Sequence, residues 1–375
     1  EPVGEFDMTT GQRIETGWIE DAVSDYPTLL RIGHQYETTL GQRLAVGGFR
    51  GPQDIAIDSD NSFYVLNRGS SNLDQVPPTR YVRVNIDDDG YENDIVLNTD
   101  GAAEASDVKY PSPVMCVLDS RNVLFHTDER SNVVVAIITT GETVREWGES
   151  GDGVGFLNGP SGIALDADEN LWIVNSRDHR IQHFTREGKY LGGFGEFGSE
   201  PGQLDHPWGV SVDPINGSLV IADWRNSRIQ RFSADGELMQ VIGQPGSGVG
   251  ELDHPSGVAV DKYGDIYVAD RNNHRVLMFN WRGLFVESFR GDATINPRGI
   301  SRLMGNPDIL RQRDNVIDLD REKRLKYPTS VKVDDDHLYI VDTGRYRVQI
   351  YRKLCRLLEP GDVEAASLHK DPGLN

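Results

Sequence analysis

The sequence has two cysteines in 375 residues, Cys116 and Cys355. That excludes a disulfide-stapled scaffold and any zinc site built on paired Cys-x-x-Cys motifs, and the expected state is two free, buried thiols. No apolar run is long enough to cross a bilayer. Basic residues are scarce, 38 against 59 acidic, which gives a formal net charge of −21. A nucleic-acid surface needs a broad basic face, and an anionic membrane attracts one, so neither partner is expected. The acidic excess reads first as a solubility feature. A Gly-x-Ser-x-Gly elbow, a P-loop and a His-Glu-x-x-His helix are all missing, which removes common hydrolase, nucleotide and metalloprotease signatures. The sequence opens on Glu1 rather than Met, so the expectation is a soluble chain with its compartment, and export, left open.

What is present is a repeat. Gly159-Pro-Ser-Gly-Ile-Ala-Leu-Asp166 returns as His206-Pro-Trp-Gly-Val-Ser-Val-Asp213 and as His254-Pro-Ser-Gly-Val-Ala-Val-Asp261. Each copy leads to an apolar run ending in Asn175, Asp223 or Asp270, then to an Arg (Arg180, Arg228, Arg275) opening a third run, then to a turn and a fourth. Four short strands about every 47 residues are the pattern of propeller blades. The Pro that opens each inner strand gives Pro52, Pro113, Pro160, Pro207, Pro255 and Pro328, hence six blades. The fold class is therefore all-β, a six-bladed propeller over residues 28–358. Residues 1–27 form an irregular extension anchored by Trp18 and Ile19, and 359–375 form a tail. The strand-like Thr28-Leu-Leu-Arg-Ile-Gly33 is expected to complete the last blade and close the ring, which removes exposed sheet edges.

Most repeated residues have structural explanations. The Asp closing each inner strand (Asp58, Asp119, Asp166, Asp213, Asp261, Asp334) precedes a tight turn whose N–H groups it can accept. The pairs Asp223/Arg228, Asp270/Arg275 and Asp342/Arg347, with Asn175/Arg180, face each other across a hairpin and read as buried pins. Three insertions, 70–79, 98–110 and 291–327, all fall on the rim where the inner strands begin. A capping helix is expected within 307–326, with Ile309, Leu310, Val316, Ile317 and Leu319 on its apolar side. Long loops gathered on one face shape a binding surface or a lid.

The motif Pro-x-Gly-Val-Ala-Val-Asp, followed by Tyr-Val-Ala-Asp and then Arg, resembles the NHL family of β-propellers from residue 50 to residue 352. Within that family the chain is similar to bacterial proteins related to peptidyl-α-hydroxyglycine α-amidating lyase. The likeness rests on Tyr64-Val-Leu-Asn-Arg68-Gly69, Asn226-Ser-Arg228-Ile229 and Ala269-Asp-Arg-Asn-Asn273. The resemblance implies a catalytic zinc held by three His, each directly after an inner-strand Pro, with one coordination position open to substrate. The corresponding residues here are Gln53, Val114, Ser161, Trp208, Ser256 and Thr329, so that triad is missing. The family's active-site Arg corresponds to Arg68, and Trp224 stands where the family has Tyr.

No metal site is assigned, because His206 and His254 precede Pro in neighbouring blades but lack a third ligand. His126, His179 and His274 show no ligand spacing. No cofactor is expected, with a divalent metal in the channel as the exception left open. The rim offers guanidinium groups beside indoles, which suit a planar anion such as a carboxylate or an acidic peptide segment. The candidate ligand residues are Gln53, Arg68, Arg177, Trp208, Trp224, Arg225, Arg271 and Arg345. The leading expectation is a recognition platform for a protein segment or small anion at the insertion-bearing face. The alternative is a lyase or hydrolase at the channel mouth, with Arg68, Arg271, His206 and His254 as catalytic candidates.

Overall fold

The structure, a computed structural model, describes residues 26–27, 29–41, 49–58, 61–68, 79–86, 91–96, 110–294 and 318–358. These form six four-stranded antiparallel sheets. The first strand, β1 (Leu29–Leu40), belongs to the last of them. Blade 1 is β2 (Pro52–Ile57), β3 (Ser62–Asn67), β4 (Arg80–Asn85) and β5 (Tyr91–Val96). Blade 2 is β6 (Pro113–Leu118), β7 (Val123–Asp128), β8 (Val133–Ile138) and β9 (Thr143–Trp147). Blade 3 is β10 (Pro160–Leu165), β11 (Leu171–Asn175), β12 (Arg180–Phe184) and β13 (Tyr190–Phe194). Blade 4 is β14 (Pro207–Val212), β15 (Leu219–Asp223), β16 (Arg228–Phe232) and β17 (Leu238–Ile242). Blade 5 is β18 (Pro255–Val260), β19 (Ile266–Asp270), β20 (Arg275–Phe279) and β21 (Phe285–Phe289). Blade 6 is β22 (Ser330–Val333), β23 (His337–Asp342) and β24 (Arg347–Leu357), with β1 outermost and Tyr36 opposite Tyr351. The N-terminal strand therefore closes the ring as expected.

Burial grades outward along each blade. β11 is buried along its whole length, whereas four of the five residues of β9 are exposed. The apolar clusters lie between blades: Ala164, Trp172, Val174 and Ile181 of blade 3 meet Val210, Leu219, Ile221 and Phe232 of blade 4. Equivalent clusters join every other neighbouring pair, including blade 6 to blade 1. Because each blade is stabilised by its neighbours, closing the ring is part of folding the core.

The Pro-x-Gly of the inner strands is a close-approach requirement. A Cβ on Gly162 would lie 2.5 Å from the Trp208 carbonyl oxygen, and one on Gly209 would lie 2.5 Å from that of Ser256. The inner strands of blades 3, 4 and 5 thus pass backbone against backbone around the axis. Blade 1 has Asp54 at this position. It is fully buried, accepts the Cys116 N–H (2.8 Å) and pairs with Lys332 Nζ (3.1 Å), tying blades 6, 1 and 2 together.

The inner-strand Asp residues behave as expected: Asp166 Oδ1 accepts the N–H groups of Asp168 (2.9 Å) and Asn170 (2.8 Å), and Asp261 and Asp334 do the same in their turns. Their second oxygens meet the third strand of the same blade in Asp166–His183 (2.8 Å) and Asp213–Arg231 (3.2 Å), and that of the next blade in Asp261–Lys353 (2.7 Å). On that same face Tyr26 donates to Asp213 (2.7 Å) and stacks on Trp281 (5.0 Å). Of the expected thiols, Cys116 is buried but Cys355 is only half-buried, since it lies on the edge of β24 covered by β1.

The capping insertion contributes one short helix among the described residues, α1 (Leu319–Lys323), with Asp318 Oδ1 accepting the Arg321 N–H at its start. Ile309, Leu310, Val316 and Ile317 fall outside the described residues, as do Trp18, Ile19 and segments 70–78, 98–109 and 359–375. The strand ends flanking all three insertions lie on the rim where the inner strands begin.

Two outcomes follow from this packing. Replacing Gly209 by Ala forces the inner strands of blades 4 and 5 apart and should cost about 1–3 kcal/mol in denaturant unfolding. His126, in β7, is fully buried with neither ring nitrogen hydrogen-bonded, and burial lowers its pKa from 6.5 to about 3. The unfolded chain takes up that proton near pH 6.5 and the folded chain does not, so stability is lost as pH falls through this window, by about 1.4 kcal/mol per unit. His126→Leu should flatten this part of the stability-versus-pH curve.

Candidate functional site

The face where the inner strands begin is held by one device in every blade. The Asn or Asp that ends each second strand accepts a backbone N–H from the loop arriving at the inner strand. The pairs are Asn67 with Arg50 (2.9 Å), Asp128 with Ser112 (2.7 Å) and Asn175 with Asn158 (2.5 Å). In the later blades they are Asp223 with Asp205, Asp270 with Asp253 and Asp342 with Lys326, each 2.7 Å. Where the residue is Asp, an Arg from the third strand can complete the clamp. Arg275 Nε donates to Asp270 (2.7 Å), and its remaining nitrogens donate to the carbonyls of Ser247, Gly248 and Glu251 (2.7–3.0 Å). Arg228 and Arg347 do the same in blades 4 and 6. Burial pushes the carboxyls of Asp223, Asp270 and Asp342 upward against the opposing pull of these bonds. Asn175 and Arg180 share the register, but the Asn175 amide donates to Asp178 (2.8 Å).

A second device sits just outside it. His206, His254 and Tyr327 precede or face the inner-strand Pro in left-handed backbone, each at φ 52°. Their N–H groups donate to His179 Nδ1 (3.0 Å), Ser227 Oγ (3.3 Å) and His274 Nδ1 (3.1 Å) of the preceding blade, residues that are themselves left-handed. In blade 3 the same bond joins Gly159 to Asn132 (2.8 Å). The backbone of each His-Pro is therefore structural, while the imidazoles of His206 and His254 take no part in the latch.

Those imidazoles belong to an arc of rings across blades 3 to 5. Centroids are separated by 5.7 Å for His179–His206, 6.2 Å for His206–Trp224, 4.7 Å for Trp224–His254 and 6.0 Å for Trp208–Trp224. Phe197, 66% exposed, extends the arc at 4.7 Å from His179. The Arg225 guanidinium lies over Trp224 (6.0 Å), and that of Arg271 over Tyr327 (5.7 Å). Arg177 is exposed and covers Gly159, where a Cβ would meet it at 3.0 Å. Burial lowers the His206 pKa, with Arg225 and His179 adding to the effect, which favours the neutral imidazole. Among the described residues, His179, Asp205 and His206 place three metal-capable atoms within 4.8 Å of one another.

The candidates from sequence divide accordingly. Trp208, Trp224, Arg225, His206 and His254 come together, with Arg177 and Arg271 on the same rim. Arg68 lies at the blade 1–2 junction, donating to Ser112 (2.6 Å) with Glu129 at 3.4 Å. Gln53 donates to the Gly51 carbonyl (3.1 Å), and Arg345 is turned onto α1, bonding Glu322 and the carbonyls of Arg321 and Arg324. His179, Asp205, Phe197 and Tyr327 were missed by spacing within one blade. The usable signal was between blades, because His179, Ser227 and His274 occupy one repeat position.

A family model described as NHL repeat matches residues 157–184, 204–232 and 252–279, which are blades 3, 4 and 5. With the six sheets around one axis, this decides the class. The chain is a six-bladed β-propeller with NHL repeats in blades 3, 4 and 5. The NHL propeller is 33% identical over 78 residues to "Protein brain tumor" of Drosophila melanogaster, a match covering 21% of the chain and 8% of that protein. Among solved structures, a protein of unknown function from Bacteroides thetaiotaomicron superimposes with a TM-score of 0.58 at 13% identity, covering 86% of this chain and 76% of that one. Virginiamycin B lyase from Staphylococcus aureus gives 0.52 at 12% identity, covering 86% and 100%. At such identities these two structures bear on the fold alone.

In this NHL propeller the positions after the inner-strand Pro stitch the channel mouth. Ser161 donates to the Trp208 carbonyl (2.8 Å), Ser256 to that of Thr329 (2.9 Å) and Thr329 to that of Gln53 (2.8 Å). Hydroxyls that tie inner strands together stand where the amidating-lyase resemblance would need imidazoles. Removing one clamp tests the construction of the face. Arg275→Ala leaves a fully buried Asp270 without its counter-charge and three loop carbonyls without their side-chain donor, and should cost about 3–5 kcal/mol in thermal or denaturant unfolding.

Proposed function

We propose that the NHL propeller is a recognition platform that binds a protein segment or a small anionic ligand on the insertion-bearing face. The observation that carries this reading is the arc His179–His206–Trp224–His254, with Trp208 beside it and Arg225 laid over Trp224. Stacked rings offer apolar contact at low entropic cost, and guanidinium groups at their edge offer two-pronged bonds to a carboxylate. The clamp arginines cannot serve, because their donors are already used on the loop carbonyls. Arg177, Arg225 and Arg271 remain on the surface of an otherwise acidic protein, a local charge that favours an acidic partner. The match to a Drosophila protein of much greater length supports a role for such repeats inside larger proteins.

The enzyme reading, a lyase or hydrolase at the channel mouth using Arg68, Arg271 and His206 or His254, is favoured by one observation. Burial beside Arg225 favours the neutral His206 imidazole, the state a general base requires. The two readings separate in one experiment. Acidic peptides and small dicarboxylates are titrated while Trp fluorescence is followed. Recognition predicts saturable binding that weakens with salt and drops at least about tenfold in Trp224→Ala, without turnover. Binding indifferent to Trp224→Ala would remove the proposal. Conversion of a bound compound that His206→Gln abolishes while binding persists would favour the enzyme.

A further inference from the structure

We propose that His179, Asp205 and His206 form a binding site for a zinc-type divalent transition ion on the insertion-bearing face, where blade 3 meets blade 4. The site shares His179 and His206 with the ring arc but is argued from separate observations, so it can fail without the recognition reading failing. Two imidazoles and one carboxylate, with ligand atoms within 4.8 Å of one another, are a donor set that suits zinc, cobalt or nickel. Three protein ligands leave coordination open to a further ligand.

The molecule contains its own control. One repeat further on, the same positions are Ser227, Asp253 and His254. There Ser227 cannot serve as an imidazole ligand, and the other two satisfy each other, with His254 Nδ1 and Asp253 Oδ1 at 2.5 Å. In the preceding repeat the positions are Asn132, Asn158 and Gly159, which carry no imidazole or carboxylate. Only where His179 is present do the Asp and His stay apart. Asp205 Oδ1 and His206 Nδ1 are both buried from solvent, and neither has a hydrogen-bond partner. A buried carboxylate oxygen and a buried ring nitrogen in one cluster, neither hydrogen-bonded, are what an ion held by both would satisfy.

The charged neighbours set the terms. Arg225 Nη1 lies 3.7 Å from Asp205 Oδ1, but its side chain is 51% exposed, so this is a loose, screened pair that an ion can replace. His179 Nδ1 lies 3.6 Å from the same oxygen and accepts the His206 N–H at 3.0 Å. The ion therefore competes with one latch bond if it takes that nitrogen. Phe197 packs on His179 from outside and shields the cluster on that side. A bound ion would be the strongest positive centre on this face. With Arg177 and Arg225 beside it, the anion such a centre attracts is a carboxylate or phosphate.

The test uses the full chain, stripped with a chelator and titrated with Co²⁺ by visible absorption and with Zn²⁺ by calorimetry. One equivalent should bind, with Co²⁺ bands of a low-coordinate nitrogen–oxygen site. His179→Ser, the residue that the next repeat uses, and Asp205→Asn should each weaken binding at least about tenfold, with circular dichroism confirming the fold. His254→Ala should leave the affinity unchanged. Failure of either ion to bind the folded protein would overturn the proposal. So would binding that survives both ligand substitutions, or binding that falls equally with His254→Ala.

Discussion

A side chain at the end of each second strand grips the backbone of the loop arriving from the blade before. In blades 4, 5 and 6 that grip is an Asp whose partner Arg sends both of its remaining nitrogens to loop carbonyls. The inner strand must then start at a fixed height, which lets the next glycine sit against its neighbour's backbone and brings the interblade clusters into contact. Lose the grip and the loop, the inner strand and one of the six interfaces lose their common reference. Buried ion pairs are poor sources of stability compared with apolar packing. Here the pair also supplies hydrogen bonds to loop carbonyls that no apolar residue could make, which accounts for its use.

The same economy explains why the two faces differ. On the side where the inner strands end, carboxylates close turns with one oxygen and meet third-strand cations with the other, as Asp261 does with Lys353. That face is charge-paired by the repeat itself. On the opposite side the clamps satisfy the repeat's charges below the surface, and the half-buried and exposed positions above them are left to residues that vary between blades. Trp224, Arg225, His206 and Phe197 occupy such positions. Side chains can change there without disturbing the ring.

This division also governs what could be read from sequence. Blade number and the Asp–Arg pins were legible because each is enforced in several copies, so weak signals add, and closure by β1 was legible from a strand-like stretch placed upstream of the first repeat. The surface was legible only by residue type. Arg225 and Arg345 both follow the Asp of a second strand, yet Arg225 lies exposed over an indole while Arg345 is bonded to α1. What separates them is a helix more than twenty residues upstream, which no local pattern around Arg345 announces. His179 was passed over for a related reason. Its meaning comes from the residue 27 positions later whose N–H it accepts, a relation between blades rather than within one.

The left-handed residues show how a repeat can admit a site. Gly51 and Gly159 take the position before the inner-strand Pro at φ 66° and 63°, the conformation for which glycine carries no steric cost. His206 and His254 take it at φ 52°, so a side chain is retained where the backbone favours none. Strain of this kind persists only where the surroundings over-determine it. The latch to the preceding blade and the fixed φ of the following Pro do so here. Structure alone accounts for the backbone at these two positions and for the acceptor on residue 179 or 227. It does not account for imidazoles at 206 and 254, since glycine serves the latch in blade 3. The side chains kept against that preference face the same rim as Trp224, and they are the part of the blade that the architecture leaves unexplained and function can claim.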